Sequence, residues 1–207
     1  MSVPWQSARD SRGLLLVRGE PSRAAGWLRR GLVACEVVPL GQWTALVPAE
    51  RTSRASAPYD DPVAALVGRP LPNRLRPAVG FFVVDDRAVV TVRSRGWRGG
   101  QRWLVWEPGK GPVRTPTLDA ARPTDLVAAA HGPSGPRTVA SVVADGSGDA
   151  TGWLRGLLAA LGLPGAELLA PSTALHGQVV APTAQAVARF ESRMAEQAQH
   201  RAELEES

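Results

Sequence analysis

The densest group of chemistry-bearing side chains lies between residues 93 and 103, Arg-Ser-Arg-Gly-Trp-Arg-Gly-Gly-Gln-Arg-Trp, with four arginines and two tryptophans. Guanidinium groups neutralise phosphates and aromatic rings stack bases, which makes Arg93, Arg95, Trp97, Arg98 and Arg102 the candidate nucleic-acid-binding residues. The competing reading is a polar hairpin tip in an arginine-rich chain, with each tryptophan covering one end of a core. That reading is preferred, because no recognised nucleic-acid-binding motif surrounds the loop. A pyrophosphate loop of the acetyl-carrier type leads into a helix N-terminus, whereas this loop leads into a strand.

A second candidate is the turn Asp145-Gly146-Ser147-Gly148-Asp149. Gly146, Gly148 and Gly152 give G-x-G-x-x-x-G between a predicted strand and a predicted helix, a context in which a helix N-terminus can hold a phosphate. It would suit a nucleotide-dependent or small-molecule enzyme. Asp145 and Asp149 flank the turn and would repel a phosphate, and no acidic residue ends the next predicted strand to hold a ribose. A tight turn with Asp149 as helix cap is the preferred reading.

Other chemistry finds less support. Gly-x-Ser-x-Gly is absent. Cys35, the chain's single cysteine, sits in an apolar run and reads as a core thiol. Asp60-Asp61 and Asp85-Asp86 fit turns and caps better than an acid and a base working across a substrate. His131, His176 and His200 have no metal-ligand spacing. No catalytic, cofactor-binding or metal-ligating residue is assigned, and the expectation leans away from an enzyme.

Composition sets wider bounds. The 24 basic residues comprise one lysine, Lys110, and otherwise arginine. The net charge of +5 is unevenly spread: residues 1–114 carry 18 basic and 9 acidic groups, net +9, and residues 115–207 carry 6 and 10, net −4. Such a division suits an acidic partner for the first part, or two parts that face each other. The first 13 residues contain no apolar signal core. The most apolar region, residues 156–170, is broken by Pro164 and Glu167 and is too short to span a membrane. A soluble, cytoplasmic protein is expected, with no membrane partner.

The elements that must position these residues are organised around residues 79–107. Phe81 to Val84 and Arg87 to Arg95 predict a hairpin about Asp85-Asp86. Ala88, Val90 and Val92 form its cleaner core face. Arg102 to Glu107 adds a third strand and completes an antiparallel meander. Upstream, Leu14 to Arg18 predicts a strand. A helix follows from Pro21, with Ala24, Leu28 and Leu32 as its stripe and Trp27 flanking it. Ala34 to Val38 and Trp43 to Val47 predict two strands, and Asp61 caps a helix over Pro62 to Val67. This β-α-β-β-α-β order matches a ferredoxin-like start, extended by the meander.

Downstream, a short helix is predicted over 125–130, followed by a Gly/Pro linker over residues 131–136. A smaller β-α-β unit comes next, with strands over 138–144, 165–170 and 175–180. Its helix carries the apolar stripe Ala150, Trp153, Leu154, Leu157, Leu158 and Leu161, with Asp149 as N-cap and Gly162 as stop. A closing amphipathic helix covers 183–204, with Val187, Phe190 and Met194 on one stripe and a frayed acidic end. Gly-Trp-Leu-Arg occurs at 26–29 and 152–155, each copy expected after a strand and a glycine turn, which raises the idea of two related units.

The division that results is a loosely held segment 1–12, a basic α+β domain 13–130, the linker, a smaller α/β unit 137–182 packed on the first, and the helix 183–207. The function expected is a non-enzymatic protein-protein interaction module. Val187, Phe190 and Met194 are its partner-binding candidates, and nucleic acid is the alternative partner.

Overall fold

The structure, a computed structural model, describes residues 11–95, 100–170 and 177–205. The strands are β1 (Arg12–Val17), β2 (Cys35–Leu40), β3 (Trp43–Pro48), β4 (Ala78–Val84), β5 (Arg87–Arg93), β6 (Gln101–Glu107), β7 (Gly111–Val113) and β8 (Gln178–Val180). The helices are α1 (Pro21–Leu28), α2 (Pro62–Gly68), α3 (Pro123–Ala130), α4 (Pro136–Ala144), α5 (Ala150–Leu161) and α6 (Ala184–Glu205). The fold is α+β. The eight strands form one sheet in the order β7-β6-β5-β4-β1-β3-β2-β8, with every neighbouring pair antiparallel.

The meander forms as its sequence implies. Val84 pairs with Arg87 across a two-residue turn, and Asp85 and Asp86 take positive φ of 48° and 62°. Aspartate tolerates this left-handed backbone better than most residues, and the turn's twist suits a hairpin. β6 then pairs with β5 from Arg93↔Gln101 to Ala88↔Trp106. On β1, Gly13 has a φ of +152°, and a Cβ there would run into the Phe81 carbonyl of β4.

Both faces of the sheet are covered. Ala88, Val90 and Val92 pack with Leu126 of α3, Val139 of α4 and the α5 stripe. Val89 packs in the opposite layer with Phe82 and with α1 and α2. One face of β5 was expected to form the core, yet its alternate residues Val89 and Thr91 are buried as well. Covering on both sides explains why β4, Ala-Val-Gly-Phe-Phe-Val-Val, is apolar without alternation and buried throughout.

The α5 stripe is buried in full. Asp149 caps the helix by accepting from the Gly152 N–H at 2.9 Å, and Gly162 ends it with a φ of 64°. Trp153 of α5 stacks on the fully buried Trp106 of β6, centroids 5.1 Å apart. The Trp106 indole donates to the Asp145 carbonyl at 2.7 Å, and that of Trp153 to the Val142 carbonyl at 3.0 Å. Each ring therefore buries its apolar body without orphaning its N–H.

Three elements depart from the sequence expectation. Residues 138–144 form α4 rather than a strand. Pro136 starts the helix, and Val139 and Val143, one turn apart, are its buried residues. The β-branched content suggested a strand, but this segment fills a helical position beside α3 and α5. Residues 166–169 form a 3-10 turn, so no strand occupies 165–170. Of the strand expected over 175–180, β8 covers Gln178–Val180 and pairs with β2 at the edge of the main sheet. The β-α-β unit is therefore not formed as expected: its first strand is a helix and its last belongs to the large sheet.

Residues 131–135 connect α3 to α4, with His131 as the left-handed C-cap of α3. Both helices bury side chains in the same core layer. The two Gly-Trp-Leu-Arg copies lie in different contexts. The first is in α1 after β1; the second is in α5 after a helix, on the opposite face of the sheet.

Candidate interaction surface

Helix α6 spans 22 residues, about 33 Å at 1.5 Å per residue. It is rooted where the Thr183 N–H donates to the Arg29 carbonyl at 2.9 Å, just after α1. The Thr183 hydroxyl accepts from the Ala186 N–H at 3.2 Å, as an N-cap does. Its first half then rests on the loop over residues 51–60. Phe190 meets Tyr59 edge-on at 5.1 Å, and the Ser56 hydroxyl donates to Glu191 at 3.1 Å. Ala186, Val187, Phe190 and Met194 are half-buried, and every described side chain beyond Met194 is exposed.

The partner-binding candidates thus lie together on one face of α6. Steps of three and four residues from Val187 pass through Phe190, Met194, Gln197 and Arg201 to Leu204, so Leu204 shares that face. It is 65% exposed, about 15 Å along the axis past Met194.

Between α6 and the end of α2 lies a groove of about 700 Å³. Leu32, Tyr59, Phe190 and Met194 supply apolar wall, and Arg30, Arg69 and Arg193 also line it. Arg69 is fixed by Trp27: its guanidinium carbon sits 4.3 Å from the indole ring centre, and it donates to the Trp27 carbonyl at 2.6 Å. Partial burial and the neighbouring Arg30 lower its pKa to about 10. The groove's carboxylate, Asp61, is already engaged: it accepts from the Ala64 N–H at 2.7 Å, capping α2, and from the Ser11 hydroxyl at 3.3 Å.

The nucleic-acid candidates are distributed differently. Trp97 and Arg98 lie outside the described residues. Arg93 is half-buried and donates to Gln101 at 2.6 Å and to the Val67 carbonyl at 3.2 Å, on the α2 side of the sheet. Burial, with Arg76 adding to it, lowers its pKa. Arg102 donates from Nη1 to both carboxylate oxygens of Asp125 of α3 at 2.9 and 2.8 Å, on the other side. Arg95 donates to the Arg76 carbonyl at 3.2 Å. Arg93 and Arg102 therefore point to opposite faces.

The glycine turn is packed against the β6–β7 hairpin. The Gly109 N–H donates to the Gly146 carbonyl at 2.9 Å, and the Asp145 carboxylate accepts from the Ser147 N–H at 2.9 Å. Hydrogen bonds from Ser147 hold the Asp145 pKa below its ordinary value. Cys35 is fully buried in β2, and burial pushes its thiol up to about 12. His176 lies outside the described residues. Among the described residues no group of three His, Cys, Asp or Glu could hold a metal ion, and no helix is long and apolar enough to cross a membrane.

Comparison with family models, with curated proteins and with solved structures gives no match. The groove was not read from the sequence. Its one early sign was Tyr59, the chain's single tyrosine, in an otherwise polar loop.

Proposed function

We propose that the chain is a non-enzymatic protein-protein interaction module whose docking element is α6. The observation that carries this reading is the helix itself: its apolar stripe starts on the protein's own loop at Phe190 and runs to Met194, and beyond the polar Gln197 and Arg201 the same face carries an exposed Leu204. Helices in proteins take most of their stability from packing an apolar face. A face that runs past its support is suited to a partner groove. The scaffold is read as a ferredoxin-like half extended by the meander. The strand order β4-β1-β3-β2, with α1 and α2 as the two crossovers, supports that reading.

The test is a paired capture. The full chain and a chain ending at residue 194 are immobilised and exposed to nuclease-treated native lysate. Proteins held by the full chain and lost from the shortened one are the expected result. Identical retention by both would overturn the role of α6. Retention that disappears with nuclease would move the reading to nucleic acid.

A further inference from the structure

The groove beneath the first half of α6 has the makings of a ligand site separate from the exposed far half of that helix. Its volume, about 700 Å³, falls within the roughly 300–1,000 Å³ of small-molecule sites, which pair apolar walls with a few placed polar groups. The walls come from Leu32 after α1, Tyr59 of the loop, and Phe190 and Met194 of α6. The polar groups are mainly of one sign. Among the described residues no ion pair joins Arg30, Arg69 or Arg193 to a carboxylate, and the Asp61 carboxylate accepts from the Ser11 hydroxyl and the Ala64 N–H.

We propose that this groove binds a small organic anion, its carboxylate, sulfonate or phosphate held by Arg30, Arg69 and Arg193 and its aromatic or aliphatic body lying along Tyr59, Phe190 and Met194. Each part answers a feature of the site. Burial and the neighbouring Arg30 both disfavour the charged form of Arg69, and an anion bound in the groove offsets that. Arg69 is already oriented by the Trp27 carbonyl and ring, so little side-chain entropy is lost when it binds. The half-buried Phe190 and Met194 gain cover from an apolar body that water does not provide.

The probe is 8-anilinonaphthalene-1-sulfonate, an anion with an aromatic body, titrated against the full chain by fluorescence. Saturable one-to-one binding is expected, weakened about tenfold or more by Arg69→Met or Arg193→Met, as loss of a charge-assisted contact implies. Phe190→Ala should weaken it as well. Laurate should displace the dye and dodecanol should not. Arg193 is exposed, so Arg193→Met should leave the melting curve unchanged and separates loss of binding from loss of fold. Absence of saturable binding overturns the proposal, and so does wild-type affinity in both arginine variants. Equally tight binding of the neutral N-phenyl-1-naphthylamine would reduce the site to an apolar groove and overturn it. Displacement by a polyglutamate peptide but not by laurate would reassign it to an acidic protein segment. None of these outcomes depends on the far half of α6.

Discussion

Phe190 of α6 meets Tyr59 edge to face, ring centroids 5.1 Å apart and planes at 87°. Aromatic pairs in this geometry contribute about 0.5–1.5 kcal/mol beyond their area burial. Tyr59 is 45% exposed, so the contact fastens the helix locally and adds little to the core. Phe190→Ala should therefore leave the melting temperature nearly unchanged while loosening α6. Tryptic cleavage after Arg189 and Arg193 reports that loosening, because local opening limits it. The rate should rise several-fold, following the roughly tenfold per 1.4 kcal/mol of lost local stability.

The Trp106–Trp153 stack is where the meander and α5 share one buried surface. Replacing either ring by alanine should cost about 3–5 kcal/mol, the range for large aromatic truncations in a core. The double variant should lose less than the sum of the two single losses, since each removes the other's partner. Chemical denaturation of the four-member cycle measures this. Additive losses would show that the rings stabilise the fold independently.

Asp149 tests the glycine turn. If its carboxylate serves as the N-cap of α5, Asp149→Ala should cost about 1 kcal/mol and Asp149→Asn much less, because an amide oxygen also accepts from the Gly152 N–H. Thermal melts of the two variants distinguish a capping turn from one whose negative charge matters.

Cys35 gives a pH signature. Burial raises its pKa from 9.0 to about 12. A thiol whose pKa is higher folded than unfolded favours the native state fully below about 9, and this contribution is lost as pH rises from 9 towards 12. Native protein at pH 8.5 should react with iodoacetamide far more slowly than the same protein in guanidinium chloride. The stability of wild type relative to Cys35→Ala should decline above pH 9. Rapid native alkylation would contradict the burial.

How far the sequence carries can be judged residue by residue. The helix from Ala150 to Leu161 was readable because its stripe, its Asp149 cap and its Gly162 stop agree. The meander was readable because Asp85-Asp86 is a turn between two β-rich runs. Residues 138–144 were not, since Thr138, Val139, Val142 and Val143 have strand-like chemistry while their position between α3 and α5 demands a helix. Tertiary packing overrode local preference there. The α6 stripe was visible at Val187, Phe190 and Met194, but its meeting with Tyr59, 131 positions earlier, was not. The groove joins Arg30, Arg69 and Arg193 across three separate stretches, and no periodicity or spacing encodes such a meeting.

The most direct test of the interaction reading is hydrogen–deuterium exchange of α6 in the free protein and with the protein captured by the full chain. Residues 195–204 are exposed on every described side chain, so fast exchange is expected there when the protein is free. Partner binding should then slow exchange across the turn that carries Leu204. If protection instead arises elsewhere on the molecule and residues 195–204 exchange equally fast in both states, α6 is not the docking element.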